Sequence, residues 1–195
     1  MLDQVENNFQ RYADFSAEEL ATITEKLVLK KLKRKEFLCQ EGQVCHSVAF
    51  INQGCLRYFY LTDGEEKIGQ FFFENAWYTD YESFLTGQPS KQNIQALEHS
   101  ELLILSKTAL YKLYENLPKF ERFGRIMAEN AYLGIRKNNF SYLTRSPEER
   151  YLQLIRERPK LLERVSLKYI ASYLGIKPES LSRIRKRLFN NRQNS

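Results

Sequence analysis

Residues Val165–Phe189, VSLKYIASYLGIKPESLSRIRKRLF, decide the fold of the C-terminal part of this chain. Their pattern predicts two short helices joined by a tight turn. One side of the second helix carries apolar residues at the i, i+3, i+4 spacing of a stripe that packs on a core: Leu181, Ile184 and Leu188. The other side is polar and basic, with Ser180, Arg183 and Arg187. A helix whose apolar side packs on a core and whose other side presents guanidinium groups meets the requirement of a helix-turn-helix recognition element.

The residues at the helix ends favour the same interpretation. Ser166 is placed to cap the first helix with its hydroxyl. Gly175 stands where a helix end needs a left-handed residue, and Pro178 suits the first turn of the next helix. The alternative is an amphipathic helical hairpin that only packs on a neighbouring element, with its charges in solvent. The agreement at each of these positions favours the DNA-binding motif.

Positive charge is concentrated in the same part of the chain. The whole sequence holds 30 basic and 24 acidic residues, a net charge of +6. Residues 146–195 contain 12 basic and 5 acidic residues, a net of +7, so the preceding residues carry a net of −1. Such a concentration suits phosphate neutralisation on nucleic acid. No long apolar helix face accompanies the charge, which argues against a membrane surface as the partner.

Composition predicts a soluble, two-domain regulator in the cytoplasm. The chain has 195 residues, of which 43% are hydrophobic and 13% aromatic, enough for a substantial core. No apolar run approaches the length of a membrane span, and the first ten residues are too polar for a signal peptide. Cys39, Cys45 and Cys55 form no CxxC pair, and free thiols in a reducing compartment are the simplest account.

The N-terminal part predicts a short helical segment followed by strands. The helical segment covers roughly Val5 to Leu29, with a capping box formed by Ser16 and Glu19. Six short extended runs follow: LKRKEFLC, SVAFINQG, CLRYFYLT, KIGQFFF, QNIQALE and SELLILS. Asp63-Gly64 is the clearest hairpin turn. Strands at this spacing predict an α+β protein with an N-terminal β-roll, a double-stranded β-helix resembling a jelly roll.

A long helix is predicted from about Pro118 to Thr144. Ile126, Leu133 and Phe140 recur at intervals of seven, a repeat that suits packing along a partner helix. The predicted dimer helix uses these residues together with Phe123, Met127 and Asn130. The alternative is one long helix that lies across its own domain. Ser146-Pro147-Glu148-Glu149 then begins a further helix, which Pro159 ends, and the domain boundary falls at Thr144 to Pro147.

This arrangement resembles the CRP/FNR family of bacterial transcription regulators. The segments EGQVCHSVAFINQGCLRYFY and IASYLGIKPESLSRIRKRL are similar to the family's β-roll and DNA-binding segments, and the resemblance covers nearly the whole chain. It implies a cyclic-nucleotide-binding-like sensor domain over residues 1–115, a connecting and dimerisation helix over 116–145, and a helix-turn-helix domain over 146–195.

The resemblance also implies which residues contact DNA. Glu179 and Arg183 take the positions that usually meet base edges, and Ser180 lies between them. Arg183 has the chemistry to donate two hydrogen bonds to guanine, and Glu179 to accept one from cytosine or to orient Arg183. The phosphate contacts are assigned to Lys177, Arg185, Lys186 and Arg187. Pro178 replaces a residue that is often basic in the family, and a wing hairpin after the helix is expected to be missing or very short.

The effector pocket departs from the family pattern. Cyclic-nucleotide binders of the family carry a Gly-Glu-Leu turn and, later, an Arg followed by Ser or Thr. Here Thr79-Asp80-Tyr81 replaces the first motif and Ser90-Lys91 stands near the second, so the sequence predicts that cyclic AMP is not bound in the usual way. The pocket is assigned to Phe71, Phe73, Tyr78, Asp80, Tyr81, Glu82, Ser90 and Lys91. The aromatic residues of this region either bind a planar ligand or form the core of the roll.

These patterns predict a dimeric, sequence-specific DNA-binding regulator that binds a palindromic site on double-stranded DNA. No cofactor or metal is predicted. The regulator is expected to respond to an unidentified effector or to none. RNA polymerase is a partner implied by the resemblance. The second hypothesis is a small-molecule sensor whose C-terminal helices bind another protein. An enzyme is not expected, because no nucleophile–base pair, phosphate-binding glycine loop or metal cluster is apparent, and His46 and His99 are the only histidines.

Overall fold

A computed structural model of the chain describes residues 2–193, with side chains described up to residue 190. The helices are α1 (Asp3–Gln10), α2 (Ala17–Thr24), α3 (Tyr81–Thr86), α4 (Lys107–Asn116), α5 (Pro118–Thr144), α6 (Pro147–Glu157), α7 (Pro159–Arg164), α8 (Leu167–Tyr173) and α9 (Pro178–Gln193). The strands are β1 (Val28–Leu32), β2 (Phe37–Cys39), β3 (Ser47–Gln53), β4 (Leu56–Thr62), β5 (Glu65–Phe72), β6 (Trp77–Tyr78), β7 (Asn93–Ala96) and β8 (Ser100–Ser106).

The strands form two four-stranded sheets, in the orders β1-β8-β3-β6 and β2-β7-β4-β5. Pairing is antiparallel wherever the register is defined: β8 lies between β1 and β3, and β2 pairs with β7. Apart from the β4–β5 hairpin, successive strands of the chain alternate between the two sheets, as in a β-roll. The predicted α+β fold with an N-terminal roll and C-terminal helices is confirmed.

The interior of the roll is apolar and receives side chains from both sheets. Leu32, Ala49, Ile51 and Leu102 come from the first sheet, and Cys39, Leu56, Ile94 and Ala96 from the second, and all are buried. A separate aromatic core joins the roll to the N-terminal helices and the start of α5. It is built on Phe9, Phe50, Trp77, Phe120 and Phe123, and the ring centroids of Phe9 and Phe123 are 5.0 Å apart. Burying rings of this size supplies a large share of the folding free energy.

The N-terminal helical segment is two helices, and the prediction of one segment from Val5 to Leu29 is wrong in this respect. The Gln10 side chain accepts a hydrogen bond from the amide of Phe15 and donates one to its carbonyl, at 3.1 and 2.8 Å, which fixes a turn between the helices. Ser16 and Glu19 then form the predicted capping box, which begins α2. The chain is already extended at Val28, where β1 pairs with β8.

The run LKRKEFLC is likewise two strands, because a turn interrupts it. Lys35 has a positive φ of 72°, and the Glu36 amide donates to the Lys33 carbonyl at 3.0 Å. The other five predicted strands are present. At the predicted hairpin turn, Asp63 and Gly64 have φ values of 53° and 78°, the combination that a two-residue turn of type I′ requires.

The chain divides into two compact units. The first comprises residues 1–58 and 71–133, and the second comprises residues 59–70 and 134–195. The second unit therefore includes the hairpin tip between β4 and β5 in addition to the C-terminal helices. Arg158 donates a hydrogen bond to the Gln70 side chain at 2.6 Å within this unit. Among residues 2–193, no helix is long and apolar enough to cross a membrane.

Candidate functional site

The second helix of the predicted helix-turn-helix, α9, has the two faces that its sequence indicates. Leu181 is 1% exposed and Ile184 is 8% exposed, whereas Arg183, Arg185 and Lys186 are exposed. α8 contributes Ile170, Ala171 and Leu174 to the same buried layer. Ala171 is fully buried, and its small side chain suits close approach of another helix. The basic side of α9 is thus exposed while its apolar side is buried.

The turn before α9 is fixed by the backbone. Gly175 has a φ of +67°, and the Ile176 amide donates to the Ala171 carbonyl at 3.0 Å, the hydrogen bond that closes a helix at a left-handed residue. α9 begins at Pro178, as predicted. The predicted side-chain cap at Ser166 is wrong. Ser166 is the N-cap residue, but only its carbonyl takes part, accepting from the amides of Tyr169 and Ile170.

The side chains assigned to DNA lie at the first three turns of α9. Glu179 and Lys177 are exposed, and Ser180 is half-buried. The Arg183 guanidinium donates a long hydrogen bond of 3.4 Å to the Glu179 carbonyl, so a backbone group and not the Glu179 carboxylate orients it. Arg187 forms an ion pair with Glu148 of α6. The capping box of Ser146 with Glu149 begins α6 as predicted, and the hydrogen bond from Ser146 lowers the pKa of Glu149.

The residues assigned to the effector pocket are brought together in part. A polar cavity of about 320 Å³ is lined by Asp80, Glu82, Ser83, Gln88, Pro89 and Lys91. Asp80 is 5% exposed, and its carboxylate accepts from the Ser90 hydroxyl at 2.6 Å and from the Ser83 amide at 3.4 Å. Lys91 donates to Glu82 at 2.8 Å. Asp80, Glu82, Ser90 and Lys91 therefore belong to one polar site at the start of α3.

The aromatic members of the predicted pocket lie elsewhere. Phe71 is fully buried, Tyr81 is 46% exposed, and neither lines the cavity. Phe73 is half-buried and does not line it either. Tyr78 stacks with Phe72 at 3.8 Å between ring centroids and with Tyr58 at 5.7 Å, and the three rings pack against the interior of the roll. The Tyr78 hydroxyl donates to Gln92 at 3.2 Å. Stacked side chains thus occupy the space next to the roll's core.

Sequence reasoning missed Ser83, Gln88 and Pro89 as cavity residues, and it missed Tyr58 as a member of the stack. α3 is six residues long and β6 only two, so neither has a periodic pattern that could have indicated its position. The Asp80 side chain at the N-cap of α3 was the available signal, since aspartate commonly starts a helix.

The predicted dimer helix is present as α5, and much of its second half is exposed. Leu133 is 62% exposed and Phe140 is 63% exposed, and Asn130 is exposed as well. Ile126 and Met127 are half-buried. Phe123 is only 4% exposed because it packs in the aromatic core with Phe9 and Phe120, which removes it from any surface seam. Further large apolar side chains are exposed along α5: Tyr132, Ile135, Tyr142 and Leu143.

Comparison with known proteins agrees with this architecture. Residues 29–116, which span β2–β8, most of β1 and the adjoining helices, match the family of cyclic nucleotide-binding domains. This part of the chain is similar to cyclic nucleotide-binding domains. A search of curated proteins finds no significant match for the chain.

Solved structures of transcription regulators share the fold of nearly the whole chain. FixK2 from Bradyrhizobium japonicum has a TM-score of 0.71 at 17% identity, covering 85% of each chain. The c-di-GMP-responsive global regulator CLP from Xanthomonas campestris has a TM-score of 0.72 at 14% identity, covering 90% of this chain and 93% of its own. A protein from Eubacterium rectale assigned to the CRP/FNR family has a TM-score of 0.72 at 15% identity, covering 95% of this chain and 88% of its own.

The predicted CRP/FNR architecture is therefore confirmed as the fold, with its cyclic nucleotide-binding domain at the N-terminal side. Within residues 2–193, no group of three or more His, Cys, Asp and Glu side chains is arranged to hold a metal ion.

The cavity does not fit a cyclic phosphate. A bound phosphate needs cationic or amide donors around it, but the most buried charged group here is the Asp80 carboxylate, which already holds the Ser90 hydroxyl at 2.6 Å. Glu82 adds a second carboxylate to the lining, and the Lys91 ammonium is paired with it. An anion entering this cavity would meet two carboxylates, those of Asp80 and Glu82.

Proposed function

We propose that this protein is a sequence-specific DNA-binding transcription regulator that acts as a homodimer. The proposal rests on the two sides of α9. Leu181 and Ile184 are buried on one side, and Arg183, Arg185 and Lys186 are exposed on the other. Residues 1–115 are the sensor, 116–145 the dimer helix and 146–195 the DNA-binding domain. Such a regulator acts in the cytoplasm, with RNA polymerase as its further partner.

The proposed base contacts are Arg183, Glu179 and Ser180. The Arg183 guanidinium has the bidentate geometry to contact the O6 and N7 atoms of guanine. In the free protein it donates a long hydrogen bond of 3.4 Å to the Glu179 carbonyl. Because that bond is at the limit of hydrogen-bonding distance, little energy opposes its exchange for a base edge. Lys177, Arg185 and Lys186 are proposed to contact phosphates.

Arg187 is also proposed to contact phosphate, by exchanging its ion pair with Glu148. Exposed ion pairs contribute at most about 1 kcal/mol, and a DNA phosphate offers the same guanidinium a stronger electrostatic partner. The exchange therefore costs little free energy on binding, and it exposes the Glu148 carboxylate to solvent.

Two copies are proposed to pair along α5, with Leu133 and Phe140 in the seam and Asn130 fixing the register. Both apolar side chains are more than 60% exposed in the single chain, an arrangement that a partner helix with the same heptad spacing would cover. Ile126 and Met127 are proposed to extend the seam toward the N-terminal end of α5. Such a dimer would place two copies of α9 about one DNA turn apart, roughly 34–36 Å, and so recognise a palindrome.

The effector, if one exists, is proposed to be a neutral or cationic small molecule with hydrogen-bond donors, because the cavity presents carboxylates and hydroxyls. The stack of Tyr58, Phe72 and Tyr78 leaves the roll's interior filled by its own side chains. Both features support a regulator that does not respond to cyclic AMP.

Selection of bound sequences from a random duplex pool tests the proposal. The full-length protein is expected to enrich a palindrome whose half-sites lie about 10–10.5 base pairs apart. Affinity for the enriched duplex should fall steeply as salt rises, because several phosphates are neutralised. Failure to enrich any sequence, or binding that salt does not weaken, would overturn the proposal in favour of a sensor whose C-terminal helices bind a protein.

A further inference from the structure

Basic residues are concentrated a second time, near the start of the chain. Residues 26–35, KLVLKKLKRK, contain five lysines, one arginine and no acidic residue, and are called the basic segment below. Residues 1–115 hold 12 basic and 17 acidic residues, so outside the basic segment they hold 6 basic and 17 acidic residues. Half of the positive charge of this part of the chain therefore lies in ten positions, and the remainder is strongly acidic.

The basic segment begins along an edge of the first sheet. β1 pairs with β8 and is the end strand in the order β1-β8-β3-β6, so among the described strands its other side has no partner. Leu32 is buried in the roll, and Leu29 packs against the aromatic core. The six basic residues are all exposed. The two leucines thus hold the strand in place while the charges face solvent.

A turn with a fixed backbone carries the second half of the basic segment. The Lys35 amide donates to the Ala96 carbonyl of β7 at 2.8 Å. The Glu36 carboxylate accepts from the Lys33 amide at 2.7 Å, and the Glu36 amide donates to the Lys33 carbonyl at 3.0 Å. The backbone that presents Lys33, Arg34 and Lys35 is therefore already ordered in the free protein.

Most of these cationic side chains have no role within the fold. Lys31 forms an ion pair with Glu101 of β8 at 2.7 Å. Among the described residues, the other five basic side chains of the segment make no ion pair or side-chain hydrogen bond. Lys35 has a φ of 72°, a conformation that glycine adopts with less strain. Packing and backbone geometry thus give no reason for a long cationic side chain at this position.

Protection of the sheet edge is the alternative explanation. Exposed edge strands often carry lysines, which prevent pairing with the strands of another molecule. That explanation applies to Lys30 and Lys31, which lie on β1. It does not apply to Lys33, Arg34 and Lys35, which follow the strand in the turn. The charge of the turn requires a partner outside the fold.

The composition of the basic segment fits the phosphates of duplex DNA. Lysine is a point charge that contacts phosphate without the planar geometry that reads a base. Protein interfaces are depleted in lysine and enriched in aromatic residues, and single-stranded nucleic acid is bound by stacking on aromatic residues. The basic segment has no aromatic residue. Binding to a membrane surface uses an apolar helix face, whereas this segment is a strand and a turn.

We propose that the basic segment is a second DNA contact of this protein, which binds duplex phosphates outside the palindrome and independently of sequence. This inference rests on the proposed DNA-binding function and adds to it a surface on the first unit. The contact would increase affinity through counterion release without changing which palindrome is selected.

Two duplexes with the same central palindrome test the proposal on the full-length protein. The short duplex spans about two helical turns and the long one about six. The variant that combines Lys30→Gln, Lys33→Gln and Arg34→Gln should bind the long duplex roughly tenfold more weakly and the short duplex almost unchanged. Its logarithmic salt slope on the long duplex should fall by about 2–3, because each phosphate contact contributes about 0.9.

A matched variant removes the same charge elsewhere on the first unit. Arg11→Gln, Lys112→Gln and Arg122→Gln alter exposed positions outside the basic segment, and together they should leave the affinity for the long duplex almost unchanged. Equal affinities of the two triple variants for the long duplex, with the short duplex still bound specifically, would overturn this inference and leave the proposed function standing. Absence of specific binding to either duplex would overturn both.

Lys35→Gly separates binding from stability. The substitution removes a cation where the backbone favours glycine, so thermal stability should be maintained or increased while affinity for the long duplex falls. Unchanged affinity for the long duplex would contradict the role of the turn. If the variant that combines Lys30→Gln, Lys33→Gln and Arg34→Gln instead loses cosedimentation with phosphatidylserine vesicles and keeps its full DNA affinity, the partner is a membrane surface and the proposal is wrong.

Discussion

The Ser172 hydroxyl of α8 accepts a hydrogen bond from the main-chain amide of Ile68 in β5, at 3.1 Å. The same hydroxyl donates to the carbonyl of Glu66 at 2.7 Å. β5 is the edge strand of its sheet, so these two backbone groups point away from the neighbouring strand. One side chain of the first helix of the helix-turn-helix therefore satisfies two groups of the edge strand within the second unit.

Replacement of Ser172 by Ala should weaken this attachment. The Ile68 amide would lose its hydrogen bond to the Ser172 hydroxyl, and an unsatisfied, partly buried backbone group costs about 1–3 kcal/mol. We expect the free energy of unfolding of the second unit to fall by about 1–3 kcal/mol in urea denaturation, and hydrogen exchange at the Ile68 amide to accelerate. Ser182→Ala, at an exposed position of α9, is the control and should change neither quantity. Unchanged exchange at Ile68 in the Ser172 variant would contradict this account.

Two glycine-to-alanine substitutions should act in opposite directions. Gly175 has a φ of +67°, and an added Cβ would also meet the Tyr142 hydroxyl, so Gly175→Ala should destabilise the second unit by about 1–3 kcal/mol. Gly134 lies within α5 with nothing within 4 Å of an added Cβ, so Gly134→Ala should stabilise the protein by about 0.5–1 kcal/mol. Thermal unfolding of the Gly175→Ala and Gly134→Ala variants measures whether each change lowers or raises stability. A stabilising Gly175→Ala would show that the turn does not need a left-handed residue.

These positions also show which features the sequence could predict. Gly175, Pro178, the Asp63-Gly64 turn, the capping boxes and the extent of α5 follow from local chemistry, and the structure has each of them where the pattern indicates. The Ser172 contact joins residues more than 100 positions apart in the chain, and no local pattern encodes it. The stack on Tyr78 likewise joins strands of both sheets, since Tyr78 is in β6 and its partners Tyr58 and Phe72 are in β4 and β5. The sequence predicts one N-terminal helical segment instead of two helices, because the turn that the Gln10 side chain holds has no periodicity of its own.

Arg183→Ala should reduce DNA affinity by about 1–3 kcal/mol and relax preference at one base pair of each half-site. Arg185→Ala is the matched comparison, because it removes an equally exposed guanidinium from the same helix. We expect it to weaken binding to all sequences about equally and to reduce the salt dependence by about one phosphate contact. Fluorescence anisotropy on the selected duplex and on single-base variants measures both. If the two variants behave alike, Arg183 contacts phosphate and does not determine sequence preference.

A charge placed on the exposed side of α5 should disrupt the dimer without unfolding the chain. Leu133→Lys and Phe140→Lys alter side chains that are 62% and 63% exposed, so the fold of a single chain loses little. Sedimentation velocity should show a shift from dimer to monomer, because two buried ammonium groups in one seam repel each other and lose hydration. Asn138→Lys, also exposed but on another side of the helix, should remain dimeric. Dimers that persist in both apolar variants would place the interface elsewhere.

The thiolate of Cys45 should appear at unusually low pH. Because the hydrogen bond from Cys39 lowers the pKa of Cys45 to about 6, ultraviolet thiolate absorbance of the folded protein should rise as pH increases through that value. An ordinary cysteine titrates near ~8.5, and the denatured protein should show only this higher transition. Cys39→Ser exchanges the thiol donor for a hydroxyl and should leave a lowered pKa, whereas Cys39→Ala removes the donor and should move the transition upward. Cys45→Ser should abolish the low transition, and Cys55→Ser should leave it intact. A low transition that survives in Cys45→Ser would belong to another group and would contradict the lowered pKa of Cys45.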